Sequence, residues 1–281
     1  MLFFPPELAA ESEWHGVGAQ AFDGKAEWIR TVYFQRLRNN SDPALDRELV
    51  NLVLDRARSV VAHPSRPMLH RVENFEKAPF GELALEETLE ENPSLSIEQE
   101  LLMAENVEKP FSCVTLLDAS ASMSGDKHLL ASIAVAVLLL EVPSKDTSLV
   151  VFSSHAKTIK RLLQEESREA TILRFLKVQP KGFTNIYAGL EEGLKQFGTR
   201  GTSGRKVGLI ATDGRSTEGG DPLESAAKYD FLVVLHLHGP GSHLEASEEI
   251  AQKGHGICLE VERFEELPRR LYEAVRLLAR L

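Results

Sequence analysis

Residues 116–125 read Leu-Leu-Asp-Ala-Ser-Ala-Ser-Met-Ser-Gly and follow directly on an apolar run, Phe111 to Leu117. This is a D-x-S-x-S turn at the end of a predicted buried strand. It gathers one carboxylate, Asp118, and two hydroxyls, Ser120 and Ser122, on one short loop. In open α/β sheets ligands bind at the carboxyl ends of strands. Hard oxygen donors carrying little net charge suit a small hard cation such as Mg²⁺. The loop offers neither thiolate nor imidazole, which argues against a structural zinc there.

Two later segments supply further oxygens of the same kind. Gly182-Phe183-Thr184-Asn185 precedes a helical pattern and presents a threonine hydroxyl. Val207 to Gly214 is a second apolar strand ending in Thr212-Asp213-Gly214. The set Asp118, Ser120, Ser122, Thr184 and Asp213 resembles the metal-ion-dependent adhesion site (MIDAS) of von Willebrand factor A domains. The resemblance covers residues 109–281 and departs from the pattern at Ala121, a non-ligand position where many relatives have glycine. It implies Mg²⁺, with Mn²⁺ as an alternative, held directly by Ser120, Ser122 and Thr184. Asp118 and Asp213 would then act through the metal's waters, and a Glu or Asp of a partner protein would complete the coordination. Asp126, eight residues after Asp118, stands where some relatives carry a ligand of a second metal site. Charge stabilisation of a helix N-terminus explains it equally well. Arg215, Ser216, Thr217 and Glu218 are candidate contact residues at the same edge.

These loops need a scaffold, and the second half of the chain reads as one. Strand and helix patterns alternate: strands at 111–117, 147–152, 205–212, 231–238 and 256–261, helices at 127–141, 166–176, 186–197, 222–229, 244–253 and 264–280, and a short antiparallel edge strand at 158–162. Alternation of this kind predicts an α/β fold, a doubly wound, mainly parallel sheet with helices on both faces, as the A-domain resemblance also implies. In the last helix Leu267, Leu271, Val275 and Leu278 form one stripe.

The first 80 residues read as a smaller helical region. A helix runs from Ala26 to Arg38, and a second opens at Asp42-Pro43 with aspartate as cap and proline at the first helical position. The stripe of the second is Leu45, Leu49, Leu52, Val53 and Val60. The arginines of both helices, Arg30, Arg36, Arg38, Arg47, Arg56 and Arg58, are expected on an ordinary solvated face with intrahelical ion pairs. Residues 81–109 form an acidic connector before the A domain at 110–281. Glu82, Glu86, Glu87, Glu90, Glu91, Glu98, Glu100, Glu105 and Glu108 have no basic partners nearby in sequence, while Leu83, Leu85, Leu89, Leu95 and Ile97 interrupt the charge. The piece Gly81 to Glu90 is similar to the segment before the A domain in bacterial proteins paired with MoxR-type AAA+ ATPases. The alternative is a connector packed on the A domain through its leucines.

Composition narrows the function further. A net charge of −10 and an acidic pI argue against nonspecific nucleic-acid binding. Cys113 and Cys258 lie in apolar runs and read as free thiols rather than a disulfide framework. The opening Met1 to Pro6 has no basic n-region, and the longest apolar run, Leu129 to Leu140, is too short to span a bilayer. A cytoplasmic protein without a membrane segment is expected. His236 and His238 sit two apart on one strand, with His243 and His255 near in sequence, yet zinc would need a converging third and fourth ligand. Ser153, Ser154 and His155 resemble fragments of a hydrolase triad, but no G-x-S-x-G elbow is present. No P-loop occurs, so ATP hydrolysis is not expected of this chain. The leading reading is a non-catalytic, metal-dependent protein-binding module. It would be an adaptor for a MoxR-type AAA+ ATPase in protein or metalloenzyme maturation, in the manner implied by likeness to magnesium-chelatase D subunits and carbon-monoxide-dehydrogenase maturation factors. The alternative is a Mg²⁺-dependent hydrolase or phosphatase with Asp118 as nucleophile.

Overall fold

The apolar runs and helical stripes organise into nine helices and nine strands among the residues that the computed structural model describes, which are 24–38, 42–61, 68–74, 82–83, 85–91, 93, 102–108, 112–198 and 205–278. The chain divides into two compact units between Leu52 and Val53.

In the first unit α1 (Gly24–Arg38) is followed by α2 (Pro43–Val60), which runs across the division. Asp42 caps α2 as expected, its carboxylate accepting from Ala44 N–H at 2.8 Å. Among the described residues the buried apolar side chains of the first unit are Ile29, Val32, Tyr33, Leu49 and Val50. The covered stripe of α2 is rotated by about one position from the expected one: Val50, Leu54 and Ala57 are buried beside Leu49 and Val53, while Leu45, Leu52 and Val60 are only half-buried. Exposed Arg58 pairs with Asp55 within α2 at 2.6 Å, as expected, while a largely buried pair, Arg36 with Asp46 at 2.5 Å, joins α1 to α2.

The second unit opens with a small antiparallel sheet of β1 (Met68–Asn74), β2 (Glu82–Leu83) and β3 (Leu102–Glu108) in the order β1-β3-β2, with α3 (Leu85–Glu91) inserted between β2 and β3. Strand structure is therefore added both to the helical region expected over 1–80 and to the connector expected over 81–109. The connector's leucines that the structure describes, Leu83, Leu85 and Leu89, are exposed and not packed on the A domain. Among the described side chains of α3 the buried one is Thr88, whose hydroxyl accepts from Leu102 N–H and donates to Leu102 O. Leu95 and Ile97 lie outside the described residues.

The main sheet has the order β6-β5-β4-β7-β8-β9. Its strands are β4 (Cys113–Asp118), β5 (Thr147–Phe152), β6 (Ala156–Lys160), β7 (Val207–Thr212), β8 (Phe231–Leu237) and β9 (Cys258–Val261). All neighbours are parallel except the edge strand β6, antiparallel to β5 as expected. One face is covered by α6 (Ile186–Phe197), α7 (Pro222–Ala226) and α8 (Leu244–Lys253). Val114, Leu116, Phe152, Ile210 and Val234 meet Ile186, Leu190, Ala226 and Ile250 there. On the other lie α4 (Asp126–Glu141), α5 (Arg168–Leu176) and α9 (Leu267–Leu278), with α4 packed against both of its neighbours. The expected α9 stripe is buried at all four positions. β4 and β5 are buried on both faces, so they read as continuous apolar runs rather than alternating ones. Cys113 is buried, Cys258 half-buried, and both are free thiols. Among the described residues no helix is long and apolar enough to cross a membrane.

Candidate metal centre

Parallel neighbours leave β4 and β7 ending side by side, which brings Asp118 and Asp213 to one edge of the sheet. Asp118 is the last residue of β4 and is almost fully buried. Its Oδ1 accepts the N–H of Ser120 at 2.7 Å, closing the turn that aims the two serines. Ser120 Oγ and Ser122 Oγ stand 3.1 Å apart. Ser120 is buried and Ser122 exposed, so the hydroxyl pair looks outward.

The second loop is stitched to the first and third by its backbone. Ala121 N–H donates to Gly182 O at 3.2 Å, and Lys181 N–H to Ala119 O at 3.0 Å. Thr184 N–H donates to Thr217 Oγ1 at 3.0 Å, while Thr217 N–H returns a bond to Thr184 O at 2.8 Å. Asn185 N–H donates to Ser153 O, and its side chain caps α6 by accepting from Ala188 N–H at 2.9 Å. Thr184 is buried, and among the described residues its hydroxyl makes no hydrogen bond. Gly182 has φ +81°, and a Cβ there would stand 2.8 Å from Ser154 Oγ. The third loop is fixed from below. Asp213 Oδ1 accepts from Arg215 N–H at 2.9 Å, and Asp213 O from His243 N–H at 2.8 Å. Gly214 has φ +75°, and a Cβ there would fall 2.2 Å from His243 O, so only glycine admits this turn.

Burial pushes the Asp118 carboxyl up to about 6. The neighbouring charge of Asp213 pushes the same way, against the Ser120 N–H bond and Lys127. Two carboxylates that repel each other beside the Ser120, Ser122 and Thr184 hydroxyl oxygens form an electron-rich group suited to a cation. The donors fit a hard, octahedral one: adjacent ligands at about 2.0–2.1 Å from an ion are about 3 Å apart, the spacing of Ser120 Oγ and Ser122 Oγ. Among the described residues no three His, Cys, Asp or Glu side chains cluster to hold a metal.

The five residues read from the sequence thus lie on three loops at one sheet edge. Others fall out differently. Asp126 begins α4, as a charge at a helix N-terminus would. His236 and His238 do share a face, their rings 4.8 Å apart, but each has a local partner: Ser247 Oγ at 2.8 Å for His236, Glu260 at 2.8 Å for His238. Burial, with His238, holds the His236 imidazole below its ordinary value. Ser153 and Ser154 brace the threonine loop; Ser154 Oγ accepts from Phe183 N–H at 3.0 Å. Thr217, read as a contact residue, instead buttresses Thr184. The bracing by Ser154 and Thr217 has no local sequence signal, since it joins residues 29 and 33 positions apart; only the Asn185 cap has one, its position at the start of a helical pattern. Beside the Asp213 loop a cleft of about 390 Å³ is lined by Gly214, Arg215, Ser216, Asp221, Leu223 and His243, among others.

With this geometry in hand, comparison with known proteins is informative. Residues 57–229, more than half of the chain, match the family model described as VWA domain containing CoxE-like protein. No curated protein sequence gives a significant match. Among solved structures, the conserved hypothetical protein BatB from Bacteroides thetaiotaomicron is 19% identical, with a TM-score of 0.51 over 61% of this chain and 100% of that one. Proximal thread matrix protein 1 from the mussel byssus, in a structure with a zinc-occupied MIDAS motif, is 23% identical with a TM-score of 0.51, over 60% of this chain and 48% of that one. The von Willebrand factor type A protein from Catenulispora acidiphila is 13% identical with a TM-score of 0.50, over 78% of this chain and 51% of that one. At such identities these structures establish the fold.

Proposed function

Because the chain belongs to the family of VWA-domain-containing CoxE-like proteins, we propose that it is a metal-dependent protein-binding module whose cation sits among Asp118, Ser120, Ser122, Thr184 and Asp213. The observation that carries this reading is the Ser120–Ser122 hydroxyl pair, 3.1 Å apart at the mouth of a buried carboxylate, on loops held by backbone bonds. Ser120, Ser122 and Thr184 supply neutral donors, and Asp118 and Asp213 supply charge from behind. When bound, the cation offers an electrophilic position that a partner's Glu or Asp can fill. Mg²⁺ is the proposed ion and Mn²⁺ the alternative; both favour oxygen donors. The zinc in the mussel protein's site makes Zn²⁺ a third ion to titrate.

The partner we propose is a MoxR-type AAA+ ATPase or its client, with the chain acting as a cytoplasmic, non-catalytic adaptor in protein or metalloenzyme maturation. The family membership and the segment at 81–90 support this reading. Its test is a pull-down from native extract by wild type and Asp118→Ala, in Mg²⁺ and in EDTA. The expected result is an AAA+ ATPase retained by wild type in Mg²⁺ alone. Retention under every condition would move the contact off the metal edge. Phosphoester turnover that disappears in Asp118→Asn would replace the binding reading with the hydrolytic one.

A further inference from the structure

Among the described residues Phe183 is the most exposed large apolar side chain, at 65%. A lone exposed aromatic is ordinary on a protein surface; its seat sets this one apart. Phe183 lies between Gly182 and the proposed ligand Thr184, and the backbone on both sides is tied down. Gly182 O accepts from Ala121 N–H, Phe183 N–H donates to Ser154 Oγ, Thr184 N–H to Thr217 Oγ1 and Asn185 N–H to Ser153 O. The loop therefore cannot fold back to cover the ring without breaking the bonds that aim the threonine hydroxyl. The charge around the ring is mixed: Lys127, Lys181 and Arg215 are exposed there beside the acidic Asp126, Asp213, Glu218 and Asp221, so attraction for a partner carboxylate would come from the bound cation and not from the protein's own charge.

We propose that Phe183 is the apolar anchor of the partner-binding face, so that the segment recognised carries a large apolar side chain within two residues of its metal-seeking carboxylate. This rests on the metal-dependent binding reading above and specifies the partner's chemistry. An aromatic ring held rigid loses little freedom on binding, and covering it removes apolar area from water. The carboxylate alone selects any Glu or Asp; the ring selects among them.

The test uses a displayed library of random heptapeptides panned against the full chain, as wild type, Phe183→Ser and Thr184→Ala, each in Mg²⁺ and in EDTA. Wild type in Mg²⁺ is expected to enrich Asp or Glu flanked by Leu, Ile, Met or Phe. Phe183→Ser should keep the acidic preference and the Mg²⁺ dependence yet lose the apolar one. A synthetic peptide chosen on wild type should bind it about tenfold more weakly, the loss of one large apolar contact. Mg²⁺ titration without peptide should be unchanged, which checks that the variant is folded. Acidic peptides without apolar neighbours, or equal affinity for wild type and Phe183→Ser, would overturn the anchor while leaving metal-dependent binding intact. Enrichment that is the same in EDTA, or in Thr184→Ala, would instead overturn the metal reading and this inference with it.

Discussion

Replacing Asp118 with Asn should stabilise the metal-free protein while abolishing its response to metal. Asp118 is 4% exposed, and burial with the Asp213 charge raises its carboxyl from 3.8 to about 6. A carboxyl raised on folding is an acid whose ionised form opposes the fold. Below the unfolded value both states are protonated and there is no penalty. The penalty grows as pH rises from 3.8 and is fully developed above 6, where it reaches about 3 kcal/mol. Asparagine keeps an oxygen to accept the Ser120 N–H bond, is close to isosteric and carries no charge. Its amide protons need new partners, so the net gain expected at pH 7.5 is about 1–2 kcal/mol rather than the whole penalty.

The assay is urea denaturation of wild type and Asp118→Asn in EDTA and in Mg²⁺. In EDTA at pH 7.5 the variant should have the higher midpoint. At pH 5 the wild-type carboxyl is mostly protonated in the folded state, and its penalty falls to about half, so the advantage should shrink in proportion. Saturating Mg²⁺ reverses the order. A ligand at 100 times its dissociation constant adds about 2.7 kcal/mol, and only wild type should gain it. A metal-free variant less stable than wild type at pH 7.5, or an advantage that does not shrink with acid, would refute the account. The first would mean that Asp118 already has a favourable partner; the second would mean that its charge is not the source.

Gly214→Ala should cost about 2–4 kcal/mol, since a Cβ would meet His243 O at 2.2 Å and Ser247 Oγ at 2.6 Å in a left-handed conformation; thermal denaturation should show it, and Mg²⁺ calorimetry should show lost binding as Asp213 is displaced. Lys160→Met should cost about 2–4 kcal/mol in urea. The buried ammonium donates to the carbonyls of Ser144, of Thr147 at 2.7 Å and of Arg161 at 3.2 Å, which the thioether would leave without it. Gly193→Ala should destabilise by about 1–3 kcal/mol despite alanine's better helix propensity, because its Cβ would lie 2.4 Å from Tyr229 Oη and 2.9 Å from Leu116. A double-mutant cycle with Tyr229→Phe should recover part of that loss.

What was legible in the sequence divides by range. Strand and helix ends at Thr147–Phe152, Ile186–Phe197 and Leu244–Lys253 coincide with the expected ones because local pattern and tertiary burial agree there. The five residues of the proposed metal site share one edge because they sit just after an apolar run or at the start of a helix, places that topology brings together. The small sheet of β1, β2 and β3 escaped the reading. An acidic stretch separates β2 from β3, and antiparallel pairing such as Val72 with Ala104 joins residues far apart in sequence. Lys160 escaped because a lysine on an edge strand ordinarily points to water. Here the chain turns over it and supplies three carbonyls.

The bracing that no motif predicts bears directly on how the site works. Ala119, Ala121, Lys181, Phe183, Thr184, Asn185, Thr217 and His243 all commit their N–H groups to the other loops or to the strand ends beneath them. The side chains that face the edge thus carry few structural bonds: those that Asp118 and Asp213 accept within their own turns, and the one between the Ser120 and Ser122 hydroxyls. A site built this way does not depend on a cation to hold its loops together. Metal binding can then be reversible, and little of its free energy need go into ordering backbone. Strain is placed where the cation relieves it, in a buried carboxylate repelled by its neighbour. The same rigidity keeps Phe183 exposed, so on the proposed reading one preorganised surface offers both the cation and the apolar anchor, and a partner that lacks either feature would forfeit the corresponding share of the contact.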